Sequence, residues 1–122
     1  IYLSGRGVML DEARGMQLLT QAAEGGNAEA QLRLAERYLA GDGVPRDNRI
    51  GLDWLRKAAE QGQPEAQNRL GVFYLRGEAE VLDRDDRLAA QWSLRAAEQG
   101  HVEGQLRIAG MYAEGRGVPR DE

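Results

Sequence analysis

The chain has 122 residues with a formal net charge of −4, and 42% of its residues are apolar. This composition indicates a single soluble folded unit with a buried core. The sequence has no basic run that could follow a nucleic-acid backbone, so nucleic acid is not expected as a partner. It has no apolar run long enough to cross a membrane, so no membrane span is expected within it. Because cysteine is absent, disulfides and thiolate metal sites are excluded.

Short segments recur along the chain with a nearly constant period. AAEGG at residues 22–26 returns as AAEQG at 58–62 and at 96–100, with spacings of 36 and 38 residues. The two extra residues of the second spacing fall in GEAEVLDRD at 77–85, where another copy has the seven residues GDGVPRD at 41–47. Such self-similarity indicates a repeat protein. The same spacings relate Tyr2, Tyr38, Tyr74 and Tyr112.

Each period is predicted to contain two helices, A and then B, and the chain starts at a B helix. We expect this first helix to follow a joint, GRGVMLD at residues 5–11. Asp11 is its expected N-cap, and Gly26 is the expected left-handed residue at its end.

The next two predicted elements form the repeat of residues 27–62. In helix A, Ala30, Leu34 and Tyr38 are spaced i, i+4 and i+8, as on one face of an amphipathic helix. Helix B follows the joint GDGVPRD, and its expected N-cap is Asp47. The glycines expected to end these two helices are Gly41 and Gly62.

The same order of helices is predicted for the rest of the chain. Small residues recur where helices must approach closely, and no strand pattern competes with the helical one. Three residues are expected to cap the A helices, namely Asn27, Gln63 and His101. The expected N-caps of the later B helices are Asp85 and Asp121. We therefore predict an all-α fold in one domain, with partial repeat 1–26, repeats 27–62 and 63–100, and partial repeat 101–122. Because neither end carries a polar capping helix, we expect the parent array to extend in at least one direction.

The glycine pair of GDGVPRD has two possible interpretations. A phosphate-binding loop should follow a strand and usually needs a Lys or a third Gly. GDGVPRD instead follows the negative end of a helix and contains neither residue. It is therefore interpreted as the joint between helices A and B.

The pattern resembles the Sel-one-like repeat (SLR), a longer relative of the tetratricopeptide repeat (TPR). The resemblance covers the whole chain, and it implies an α/α superhelix, a right-handed solenoid of antiparallel helix pairs whose A helices line a concave surface. It further implies a scaffold for protein partners, mostly in bacterial envelope, secretion and signalling systems. We expect no cofactor, and the sequence leaves both the bacterial periplasm or envelope and the cytoplasm open as compartments. The residues that carry the resemblance are Ala66, Leu70, Gly71, Tyr74, Gly77, Trp92, Ala96, Ala97 and Gly100.

Helical spacing predicts which A-helix positions point away from the core and could contact a partner. Arginines at three of these positions, Arg33, Arg69 and Arg107, each follow a glutamate by four residues. They are interpreted either as i,i+4 helix supports or as a row that binds a partner's carboxylates. The candidate contact residues are Glu29, Arg33, Glu36, Ala40, Glu65, Arg69, Val72, Arg76, Glu103, Arg107, Gly110 and Glu114.

The 77–85 loop is a second candidate. It is either a tolerated insertion or a partner-specific bulge, and it lacks the spacing of a calcium loop. We expect no metal there.

Catalytic residues are not indicated. The possible nucleophiles are Ser4, Thr20 and Ser93, and none is placed near the single histidine, His101, which has the position of a helix cap. We therefore expect that the chain is not an enzyme.

An alternative function is an envelope module that binds a glycan or a peptidoglycan fragment. This function would require exposed aromatic side chains in a pocket. Trp54 and Trp92 are instead expected in the core, whereas Phe73 and Met111 are expected to be half-exposed at its edge.

Overall fold

A computed structural model describes residues 5–78 and 81–118, with residues 5–10 described as backbone only. Within these ranges the chain forms six helices and no extended strand, and each helix packs on the next one along the chain. The predicted all-α solenoid of helix pairs is confirmed. The helices are α1 (Gly5–Glu24), α2 (Ala28–Ala40), α3 (Asn48–Glu60), α4 (Pro64–Arg76), α5 (Asp86–Glu98) and α6 (Val102–Glu114).

The predicted helix caps are confirmed from α2 onward. Asp47 and Asp85 accept hydrogen bonds from backbone N–H groups at the starts of α3 and α5. The A helices α2, α4 and α6 begin in the same way, with side-chain acceptors that satisfy free N–H groups of the first turn. Their N-caps are Asn27, Gln63 and His101. The glycines Gly26, Gly41, Gly62 and Gly100 have positive φ, as expected at helix ends.

The start of the chain differs from the prediction. Residues 5–11 are helical and belong to α1, so they form no joint, and Asp11 is not an N-cap. The physical reason lies at residue 9, which is Met where GDGVPRD and GRGVPRD have Pro, so no residue in this copy interrupts the helix. The predicted cap Asp121 lies outside the described residues.

The core is built from leucines and small residues that let adjacent helices approach. Leu55, Ala59 and Leu70 are fully buried in one cluster, on which Trp54 and Trp92 pack as half-buried side chains. The tryptophans were thus correctly predicted as core contacts. Lysine or arginine covers the outer face of each ring, with Lys57 over Trp54 and Arg95 over Trp92, both 4.5 Å from the ring centre.

Met111 is buried, so its prediction as a half-exposed residue was wrong. It packs in a second cluster with Ala89, Ala90 and Ile108. The two alanines leave space that a flexible methionine side chain fills. Phe73, for which the same exposure was predicted, is half-buried against the first cluster.

The longer joint after α4 packs on the core and forms a hydrogen bond with the start of α3. Glu78 and Leu82 form an antiparallel β-bridge, and Val81 and Leu82 pack on the core. The Asn48 side chain at the start of α3 donates a 3.0 Å hydrogen bond to Glu78. The insertion therefore has a packing role.

Candidate partner-binding groove

A groove of about 950 Å³ lies between α1, α2 and α4. Its apolar lining includes Met16, Leu19 and Leu32, of which Met16 and Leu19 are half-buried. Its charged lining comes mainly from the predicted outward face of the A helices. The carboxylates are Glu12, Glu29, Glu36, Asp42 and Glu65, and the guanidinium groups are those of Arg33, Arg37 and Arg69.

The structure separates the predicted contact residues into two groups. Glu29, Arg33, Glu36, Glu65 and Arg69 line the groove, together with Ala40. The remaining residues lie on α4 and α6 outside the groove lining, and none of them is buried. They are Val72, Arg76, Glu103, Arg107, Gly110 and Glu114.

Two of the three predicted Glu–Arg pairs form. Arg33 donates to Glu29 at 3.2 Å, and Arg69 donates to Glu65 at 2.9 Å. Arg69 also lies 3.6 Å from Glu36, so it joins α4 to the preceding A helix. Because all of these groups are substantially exposed, each i,i+4 pair contributes only about 0.2–0.5 kcal/mol to stability.

The third pair is replaced by contacts through Asn68. Within the described residues, Glu103 and Arg107 form no ion pair with each other. The amide of Asn68, which is 2% exposed, donates to Glu103 and accepts from Arg107, both at 3.4 Å. Leu32 occupies the equivalent position one repeat earlier, so the lining changes from apolar to polar between repeats.

The N-cap residue of an A helix also forms a hydrogen bond with a glutamate of the A helix one repeat earlier. Gln63 accepts the Ala66 N–H with its carbonyl oxygen and donates from its amide to Glu29 at 3.0 Å. His101 repeats this arrangement with Glu65, where Nε2 and Oε2 are 2.7 Å apart. These contacts fix the spacing of successive A helices along the groove.

Glu65 is ionised more readily than an ordinary glutamate. Partial burial raises the pKa of its carboxyl group, but the hydrogen bonds from Arg69 and His101 and the positive charge of Arg69 outweigh burial. The net result is a lowered pKa. A negative charge is therefore maintained at the centre of the charged row.

A row of glutamines behind the groove was missed by the sequence analysis. Buried Gln31 donates to the Ala23 carbonyl and accepts from Gln61, and buried Gln67 does the same with the equivalent residues Ala59 and Gln99. These side chains join three successive helices by hydrogen bonds. Their 36- and 38-residue spacings, which match the repeat period, are the signal that could have revealed them.

The lining of the groove was also compared with what a catalytic, glycan-binding or metal-binding site would need. Among the described residues that line it, none carries an aromatic ring, a hydroxyl, a thiol or an imidazole. In the part of the chain that the structure describes, no three His, Asp or Glu side chains are grouped as metal ligands. No described helix is both long and apolar enough to span a bilayer.

Stacked helix pairs with a charged face along their A helices define a helical-repeat scaffold. The Sel1 repeat model matches residues 1–27, 28–63, 64–101 and 102–122, which together make up the whole chain. The chain therefore belongs to the Sel1 repeat family, as the SLR resemblance predicted. No curated protein matches it.

Solved structures show the same fold. A Sel1 repeat protein from Oxalobacter formigenes is 37% identical with a TM-score of 0.84, and the match covers 89% of this chain and 80% of that one. A protective antigen of uropathogenic Escherichia coli with an SLR fold is 32% identical with a TM-score of 0.65, and 87% of this chain matches 30% of that one. Helicobacter pylori cysteine-rich protein B has a TM-score of 0.67 at 24% identity, with 94% and 80% covered, and supports the fold alone.

Proposed function

We propose that the chain is a protein-binding scaffold whose groove between α1, α2 and α4 holds a peptide segment or a helix of a partner. The observation that carries this proposal is the groove itself, which combines apolar lining residues with rows of charged side chains on rigid helices. A groove of this composition suits a segment that buries one apolar side and pairs its charges at the rim. Predicted contact residues outside the groove, including Val72 and Arg76, would extend the surface along the array.

A scaffold role also agrees with the chemistry of the groove. Ser93, a hydroxyl considered in the sequence analysis, is fully buried between α4 and α5 and cannot reach a substrate. His101 uses both ring nitrogens in structural hydrogen bonds. These residues are accounted for by packing and capping.

The test is an affinity capture with a variant that blocks the groove without removing a contact. Ala40 is exposed and lines the groove, so Ala40→Trp would place a large ring in it. Ala113, an exposed alanine on α6 outside the groove lining, provides the matched control Ala113→Trp. We expect proteins retained by the wild-type chain to be lost with Ala40→Trp and kept with Ala113→Trp. Equal retention by both variants would contradict a binding groove at this place.

A further inference from the structure

The groove carries an excess of negative charge. Five carboxylates and three guanidinium groups line it, which leaves two negative charges in excess. All three guanidinium groups are already held by carboxylates of the chain, including Arg37, which donates to Asp42 at 3.0 Å. Among the side chains that the structure describes, no cation lies within ion-pair distance of Glu12. A partner would therefore meet an excess of negative charge, including the carboxylate of Glu12, which has no described cationic partner, rather than free arginines.

In the later repeats, a side-chain hydrogen bond joins the first residue of each B helix to the joint that follows the next A helix. The residue of the joint that takes part comes directly after its first glycine. Asn48 donates to Glu78 at 3.0 Å, and 38 residues further on Arg116 donates to Asp86 at 3.0 Å. The donor and acceptor exchange places between the two repeats, but each pair is complementary.

The equivalent positions in the first repeat are not complementary. They are Glu12, 36 residues before Asn48, and Asp42, 36 residues before Glu78, and both line the groove. Ionised carboxylates only accept hydrogen bonds, so these two cannot close the joint as the later pairs do. Asp42 accepts from Arg37 of its own repeat instead, whereas Glu12 has no cationic partner among the described side chains and is open to a donor from outside the chain.

We propose that the groove takes a basic amphipathic segment of a partner protein. A lysine or arginine of this segment interacts with Glu12 and Asp42, and an apolar side chain packs beside Met16 and Leu19. The inference rests on the proposed binding function and names the class of partner. Opposite charge favours such a segment over an acidic peptide, a nucleic acid or an anionic lipid surface, all of which the negative excess repels. Methionine in the lining adapts to apolar side chains of different shapes.

The test uses a displayed library of random 12-residue peptides, selected on the wild-type chain. We expect enriched peptides to contain more Lys and Arg than Asp and Glu, together with at least one large apolar residue. The affinity of an enriched peptide should fall at least fivefold on Glu12→Gln/Asp42→Asn. It should stay unchanged on Glu60→Gln/Glu98→Gln, which removes two exposed carboxylates at the ends of α3 and α5 outside the groove lining.

Three results would overturn the inference. They are enrichment of acidic peptides, equal affinity for both double variants, and no enrichment at all. The Ala40→Trp variant separates this failure from failure of the proposed function. Acidic peptides that lose binding to Ala40→Trp would contradict only the charge preference, whereas peptides that bind Ala40→Trp normally would contradict the groove as the binding site. Circular dichroism of each variant verifies that its helices are intact.

Discussion

His101 connects two A helices through Glu65. Its Nε2 atom lies 2.7 Å from Glu65 Oε2, while its Nδ1 atom accepts the Gly104 N–H at 3.1 Å. This geometry requires the neutral ring with its proton on Nε2. Gln63 performs the same two functions one repeat earlier with an uncharged side chain, so the fold contains its own control for this joint.

Two replacements of His101 should show whether the joint needs an imidazole or only a side chain that can cap α6 and bind Glu65. We expect His101→Ala to lower the free energy of unfolding by about 1–2 kcal/mol, because α6 loses its cap and Glu65 loses a donor. His101→Gln should stay within about 0.5 kcal/mol of the wild type, since Gln63 shows that glutamine fits this joint. Urea unfolding of both variants tests the prediction. An alanine variant as stable as the wild type would show that the joint contributes nothing.

Glu65 should make stability depend on pH in acid. Its pKa is lower in the folded chain than the ordinary value of 4.5, so the ionised form stabilises the fold. This contribution is complete above that ordinary value and is lost as the pH falls through the lower folded pKa. Glu65→Gln should therefore flatten the loss of stability between about pH 5 and pH 3. Urea unfolding across this range tests the effect, with Glu98→Gln as the exposed control. Identical pH profiles with and without Glu65 would refute it.

Gly71 should tolerate no side chain. A Cβ atom there would lie 2.7 Å from Ser93 Oγ and 3.1 Å from the Ala89 carbonyl oxygen of α5. Gly71→Ala should therefore destabilise the chain by about 1–3 kcal/mol. Ser93→Ala should recover only part of this loss, because the Ala89 carbonyl remains.

The matched control for Gly71 is Gly110→Ala on α6. A Cβ at Gly110 meets nothing within 4 Å, and alanine favours the helix by about 0.5–1 kcal/mol. This variant should raise the melting temperature while Gly71→Ala lowers it. Equal shifts in the same direction would contradict the packing of α4 on α5.

The buried glutamines should be costly to remove. Gln67→Ala removes two hydrogen bonds, one from Gln67 to the Ala59 carbonyl and one from the Gln99 amide to Gln67, and we expect a loss of about 1–3 kcal/mol. Gln105 contacts the equivalent carbonyl of Ala97 but is exposed, so Gln105→Ala should cost less. Thermal unfolding compares the two directly. A larger loss for Gln105→Ala would contradict the importance of the buried row.

Features with local causes were predictable from the sequence. Asp47 and Gly41 act at their own helix ends, so residue type and spacing were sufficient. The continuous α1 was not predicted, because it depends on Met9 at a position where two other copies of the joint have Pro. Asn68 was also missed, since its contacts cross between helices that are far apart in sequence.

In the candidate site, too, local patterns were predictable from the sequence, whereas contacts between distant residues were not. The row of Arg33, Arg69 and Arg107 was visible as a periodic pattern, and so were the glutamates beside it. Which side chains were already occupied depended on three-dimensional contacts, such as Arg69 with Glu36. For this reason, sequence alone left the arginines either as helix supports or as contacts for a partner's carboxylates, whereas in the structure Glu12 is the lining carboxylate without a described cationic partner.

The central claim is that a partner binds between α1, α2 and α4. Its most direct test is to record amide NMR spectra of the chain before and after addition of a partner isolated by capture. We expect shifts to concentrate on residues 12–19 of α1 and on the outward faces of α2 and α4, including Glu36 and Arg69. Shifts confined to α3 and α5 would contradict it.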